Sequence, residues 1–327
     1  MFGKLTRLRC LDLDGCNIEK LPESCISGLC NLEIVDLGWE CELPKEINNW
    51  PKMSSLSHNK GKDGMPRGIE KLTLLEVLKS YKVRKEEVSR INNFSGMEEL
   101  AGLNSFQVLW IHNLENVRGG KEGAERAKLN DKQHLRELDL CWGYGDVKRT
   151  SNSDGMVLEG LQPHPNLKEL EINEFKGLKF PRWLSDFLPN LVKLDLTNCK
   201  YSEKLPALGM LPSLRELNVV RMNAVKCLGN EFYHQVDVTD EDGEDSSSSV
   251  GSSRMMTLFP SLTELHLYCL ENLEEWVSLP PPYISFPVLE YLKIECGKLI
   301  STPNSFPSLK ELTLDGTTNR PVTHLYG

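Results

Sequence analysis

The sequence predicts an α/β repeat protein: a curved solenoid of about twelve repeats, with a parallel β-ladder on its concave face and irregular or helical segments on its convex face. Three observations predict it. Leucine supplies 52 of the 327 residues, whereas Phe, Trp and Tyr together make up 7%. The pattern Leu-x-x-Leu-x-Leu, with aliphatic replacements, recurs along the chain, and proline recurs two residues before many of its rows. A chain leaning this heavily on one aliphatic residue must be read as repeats before any domain is cut.

In chain order, the first rows start at Leu8 (with Leu11, Leu13) and Leu32 (Val35, Leu37). Two weaker rows follow, at Met53 (Leu56, His58) and at Leu75 (Leu78, then Ser80 in place of an aliphatic residue). Clear rows then start at Phe106, Leu135, Leu167, Leu191, Leu214, Leu262, Leu289 and Leu309. Successive starts are separated by 24, 21, 22, 31, 29, 32, 24, 23, 48, 27 and 20 residues. Most gaps lie near the period of roughly 20–29 residues that marks a leucine-rich repeat.

Within a row, the alternation of two puts both aliphatic side chains on one face of a short strand. One such strand cannot bury its apolar side alone, so neighbouring repeats must stack into a ladder with a shared core. Pro165, Pro189, Pro212, Pro260, Pro287 and Pro307 suit the strand start, where a missing N–H costs nothing. Leu21-Pro22, Leu43-Pro44, Met65-Pro66, Phe180-Pro181 and Leu205-Pro206 read as convex turns.

The longer gaps are expected to hold extra structure. Gly123 to Leu129 is rich in helix formers, and Met156, Val157, Leu158 and Leu161 read as a second short helix. The gap of 48 residues contains Asp237 to Ser253, with six acids and six serines. So many like charges cannot bury enough apolar surface to order a segment, so 237–253 reads as a disordered insert in a single solenoid spanning 1–327.

Composition and motifs exclude several functions. There is no apolar run of membrane-spanning length, and the first residues make no secretory signal. The balance of 38 bases against 47 acids, net −9, argues against a nucleic-acid partner held by phosphate contacts. The ten Cys include no CxxC pair, which suits reduced thiols and a cytoplasmic site, with the nucleus as the alternative. Cys16 and Cys199 read as small buried residues that bond turn backbone; Cys25 and Cys30 read as buried or half-buried small apolar residues rather than metal ligands. The sequon at Asn93 reads as coincidental. Gly119-Gly120-Lys121 fails as a phosphate loop, Gly143-Tyr144-Gly145 fails as a dinucleotide fingerprint, and no zinc-hydrolase or serine-hydrolase motif occurs. No catalytic residue, cofactor or metal is expected.

A binding surface is expected instead, on the outward positions of the strands. These positions carry Asp12, Asp36, Trp110, Glu137, Asp139, Glu169, Glu171, Asp195, Glu216, Asn218, Glu264 and His266, continuing through Tyr291/Lys293 and Glu311/Thr313. Carboxylates on adjacent strands, about 4.8 Å apart, should repel one another and attract a basic partner. Arg9, Arg136, Lys168, Arg215 and Lys310 at the strand starts are expected to offset part of that charge.

The finer motifs carry a resemblance. Leu114-Glu-Asn-Val117, Ala124-Glu-Arg-Ala-Lys-Leu129 and His134-Leu-Arg-Glu-Leu-Asp-Leu-Cys-Trp142 resemble the repeat region of coiled-coil-type nucleotide-binding leucine-rich-repeat (NLR) disease-resistance proteins of plants. So do Phe180-Pro-Arg-Trp-Leu184 and Leu270-Glu-Asn-Leu-Glu-Glu-Trp276. The resemblance implies a recognition module of innate immunity, whose partner is a pathogen effector, a guarded host protein, or the nucleotide-binding domain of the same or another chain. A free-standing adaptor or decoy, such as the substrate-binding part of a ubiquitin-ligase adaptor, and a surface-occluding inhibitor are the competing readings.

Overall fold

A computed structural model describes residues 5–22, 26–38, 41–58, 65–85, 96–143, 152–234 and 255–315. The expected insert at 237–253, the Asn93 sequon and Cys25 lie outside the described residues. The chain divides into two compact units, Met1–Glu174 and Phe175–Gly327.

The first unit is a ladder of short parallel strands paired in chain order. They are β1 (Cys10–Asp12), β2 (Ile34–Asp36), β3 (Ser55–Ser57), β4 (Val77–Lys82), β5 (Val108–His112), β6 (Glu137–Cys141) and β7 (Glu169–Asn173). The register stacks equivalent repeat positions: Leu11, Val35, Leu56, Leu78, Leu109, Leu138 and Leu170 form one column, and all are buried. Burying each such side chain contributes about 1.5–3 kcal/mol, so the column and its neighbours hold the repeats together.

The weak Leu75 row hides an irregularity. In β4 the register shifts between Leu78 and Tyr81, so Tyr81 and not Ser80 lies opposite Ile111. Ser80 is pushed out of step with φ of 80°, and the Tyr81 hydroxyl donates a 2.5 Å hydrogen bond to the Gly96 carbonyl. Both long gaps hold a helix: α2 (Asn152–Gly160) contains the expected Met156, Val157 and Leu158, whereas α1 (Gly120–Glu125) starts and ends earlier than the expected 123–129, and Leu129 opens a separate 3-10 turn, Leu129–Asp131. The two helices meet at Gly160, where an added Cβ would stand 2.3 Å from the Lys121 carbonyl oxygen.

The second unit repeats the scheme with β8 (Lys193–Thr197), β9 (Glu216–Val220), β12 (Glu264–Tyr268), β15 (Tyr291–Glu295) and β16 (Glu311–Asp315) as its main ladder. Two small pairs accompany it, β10 (Cys227–Leu228) with β13 (Glu275–Trp276), and β11 (Met256–Leu258) with β14 (Tyr283–Ser285). Short helices α3 (Trp183–Asp186) and α4 (Asn230–Tyr233) complete it. Behind this ladder the core is aromatic: Phe259 and Phe286 stack at 4.8 Å, and Phe286 lies 5.7 Å from Phe306. Trp276 and Tyr233 meet Phe286 edge-on.

The prolines earn their position through turns. Leu167, Leu191, Leu262, Leu289 and Leu309 each donate an N–H to the carbonyl three residues back, which places Pro165, Pro189, Pro260, Pro287 and Pro307 second in a four-residue turn, where φ near −65° is required. The next residue often ties the repeat to its predecessor: Asn166 donates to Gln133, Ser261 to Pro212 and Ser308 to Pro287. Strands leave through a left-handed residue, at Asn113, Glu174, Asn198, Arg221 and Cys269. Asn favours that conformation; Glu, Arg and Cys hold it against a cost of about 1 kcal/mol or more.

Two cysteine expectations need correction. Cys199 is buried, with its Sγ 3.6 Å from the Thr197 carbonyl as expected, but Cys16 and Cys30 are exposed, each sitting in a tight turn, closed by the Cys16 N–H on the Leu13 carbonyl and by the Leu32 N–H on the Leu29 carbonyl.

Candidate functional site

The period of two in β6 turns Glu137, Asp139 and Cys141 to the side opposite the buried Leu138 and Leu140, although Asp139 is itself buried there, with 8% of its surface exposed. The parallel register then sets Glu137 opposite Glu169, Asp139 opposite Glu171 and Cys141 opposite Asn173. On the other side, Trp110 lies opposite Asp139. Five of the sequence-derived candidates, Trp110, Glu137, Asp139, Glu169 and Glu171, are therefore assembled on β5, β6 and β7.

Specific bonds hold this group. The Trp110 indole donates to Glu137 Oε1 at 2.8 Å, and the Asn173 amide donates to Glu171 at 2.8 Å and to Asp139 at 3.4 Å. The Lys79 ammonium lies 4.9 Å over the Trp110 ring. Burial, reinforced by the charges of Asp139, Glu174, Glu115 and Glu171, pushes the Cys141 thiol up to about 12. Cys141 therefore stays protonated, chiefly because its burial disfavours the thiolate.

Asp12 and Asp36 face each other across β1 and β2 but do not join that group, since β3 and β4 intervene with Ser55, Ser57, Val77 and Lys79. Each spends a carboxylate oxygen on a main-chain N–H two residues on, that of Asp14 and of Gly38.

In the second unit Lys193, Glu216, Glu264, Tyr291 and Glu311 form one row, and Asp195, Asn218, His266, Lys293 and Thr313 the next. Lys193 pairs with Glu216 at 2.7 Å and approaches Asp195 at 3.8 Å. The Asn218 amide bridges the same two carboxylates. Burial raises Asp195 above the usual carboxylate range despite these bonds. Burial also opposes ionisation of Glu216, but the hydrogen bonds from Lys193 and Asn218 and the charges of Lys193 and His266 outweigh it, so its pKa is lowered. His266 sits edge-on to Tyr268, and Lys293 lies 5.0 Å over that same ring.

Three of the five strand-start bases are engaged elsewhere. Arg9 pairs with Glu33 and Lys310 with Glu290 along their own row, and Arg136 donates to the carbonyls of Gln133, Leu135 and Asn166. Reading only two outward positions per row missed Cys141, Asn173, Tyr268 and Glu295. The strands run one residue further, and the residue after the last aliphatic one was the available signal. Among the described residues no group of three or more His, Cys, Asp or Glu could hold a metal, and no helix is long and apolar enough to cross a membrane.

The comparisons agree with this architecture. The family model "R13L1/DRL21 LRRs" matches residues 97–222, the stretch that holds β5 to β9. The chain is 32% identical over 244 residues, 71% of its length, to disease resistance RPP13-like protein 1 of Arabidopsis thaliana. It is 31% identical over 222 residues to disease resistance protein RGA4 of Solanum bulbocastanum, covering 68% of the chain, and 31% identical over 263 residues, 80% of the chain, to RGA1 of the same species. These matches span 21%, 20% and 24% of the relatives' own lengths, about a fifth to a quarter of each. By fold and repeat register the chain is a leucine-rich-repeat protein; its residues 97–222 match the R13L1/DRL21 repeats, and the relatives it resembles are disease resistance proteins of plants.

Proposed function

We propose that the outward strand face is a protein-recognition surface of plant innate immunity, which senses a pathogen effector or an altered host protein and thereby regulates a nucleotide-binding switch. The sequence itself holds no phosphate-binding loop, so the switch is supplied by another region or another chain. One observation carries the reading: the in-register pairing of Glu137 with Glu169 and of Asp139 with Glu171, beside Trp110. Like charges set opposite one another reduce the stability of a sheet, and this face pairs them with an aromatic anchor of the kind found at interaction hot spots. The partner face that complements it is basic.

The experiment compares the chain with a variant in which Glu137, Asp139, Glu169 and Glu171 are replaced by Ser or Thr, each immobilised and exposed to leaf extract from infected and uninfected plants. The reading expects a polypeptide with a basic surface that is retained by the chain, eluted by moderate salt and lost with the variant. Retention of the same polypeptides by both proteins at all salt concentrations would refute it.

A further inference from the structure

We propose that Glu264, Tyr291 and Glu311 form a subsite for a single arginine side chain of the protein partner. This rests on the reading of the strand face as a recognition surface and names the chemistry that one part of it accepts.

The register sets Glu264 opposite Tyr291 and Tyr291 opposite Glu311. An aromatic ring thus stands between two carboxylates, one on each adjacent strand about 4.8 Å away. Tyr291 is 40% exposed, high for so large a side chain on a ladder, and the three residues line a depression of about 230 Å³ with His266, Lys293 and Thr313. The neighbouring acid of the same row, Glu216, is already held by Lys193 and Asn218. No hydrogen bond or ion pair engages the carboxylates of Glu264 and Glu311 among the described residues. Lys293, the one lysine or arginine lining the depression among the described residues, is drawn over the Tyr268 ring on β12 at 5.0 Å.

What fits is a cation with a flat face. A guanidinium can stack on the phenol ring while its forked N–H groups reach a carboxylate on either side. The compact ammonium of lysine can do only one of these at a time. The same face shows the pairing in miniature, since Lys293 over Tyr268 and Lys79 over Trp110 are both cations seated on outward aromatic rings.

The test uses the full chain with fluorotyrosine at its eight Tyr positions, the Tyr291 resonance being identified by its loss in Tyr291→Phe. Titration with N-acetyl-arginine methylamide is expected to move that resonance with a dissociation constant of roughly millimolar strength. The neutral citrulline analogue should bind at least about tenfold more weakly, as should the arginine compound to Glu264→Gln, to Glu311→Gln and to the double variant. Unchanged resonances from the other tyrosines report that each variant is folded. A Tyr291 resonance that does not move, or that moves equally with citrulline or in the Gln variants, overturns the proposal. Because this test reads only β12, β15 and β16, its failure leaves the comparison built on the β6 and β7 carboxylates standing, and the reverse holds.

Discussion

The Trp110 indole N–H is bonded to Oε1 of Glu137 on the next strand at 2.8 Å, and Lys79 caps the face of the same ring at 4.9 Å. The large aromatic side chain of this surface is thus fixed between a cation and a carboxylate, ready to be covered without losing side-chain freedom on binding. Trp110→Phe keeps a ring beneath Lys79 but removes the donor. It should lower stability by about 1 kcal/mol, read as the shift of a urea unfolding curve with unchanged slope; Trp110→Ala should cost more, having lost the ring as well.

Lys132 has no exposed surface. Its ammonium donates to the carbonyls of Leu100 at 2.7 Å and Leu103 at 2.9 Å and lies 5.6 Å from the centre of the Phe106 ring. Burial holds its pKa down to about 8, against 10.5 ordinarily. The folded state therefore sheds this proton before the unfolded state does, and stability rises with pH across the window between those values. Lys132→Met should remove that rise, seen as the difference between the two proteins' unfolding midpoints at about pH 7.5 and about pH 10. At neutral pH the variant should also be less stable, because two buried carbonyls lose their donor.

His58 and His112 act at the other end of the scale. Burial, with the nearby charge of Lys82 adding to it, holds His58 down to about 3 and His112 to about 4, where 6.5 is ordinary. Both are neutral in the folded protein at pH values where the unfolded chain is already protonated. Their contribution is complete above 6.5 and is lost as pH falls toward 4 and then 3. His58→Gln and His112→Gln should each flatten the acid side of the stability curve, measured by thermal melting between about pH 7 and pH 4.5.

Ser80 carries two costs, φ of 80° and a buried hydroxyl without a hydrogen-bond partner. Ser80→Gly relieves both and should raise stability by about 1 kcal/mol, while Ser80→Val should lower it. Equal melting temperatures for all three proteins would show that the β4 irregularity stores no strain.

Much of this was legible in the sequence. The aliphatic rows placed the strands, and the residues between them named the outward face, because a period of two admits only one assignment of sides. Proline marked the turns for the same local reason. The Leu75 row was misread because a one-residue irregularity leaves the aliphatic count nearly intact while moving Tyr81 into the place of Ser80. The aromatic column of Phe259, Phe286 and Phe306 was hidden because it joins residues 20 and 27 apart, beyond any window that detects a strand. The pairing of Arg9 with Glu33 was hidden likewise, since it requires knowing which strand starts are neighbours.

The most direct measurement is the association rate of the captured partner with the chain and with the Glu137, Asp139, Glu169 and Glu171 variant, followed by stopped flow over a range of ionic strength. The account predicts that the chain associates at least about tenfold faster at low salt and that the two rates converge as salt screens the face. Equal rates with equal salt dependence would contradict it.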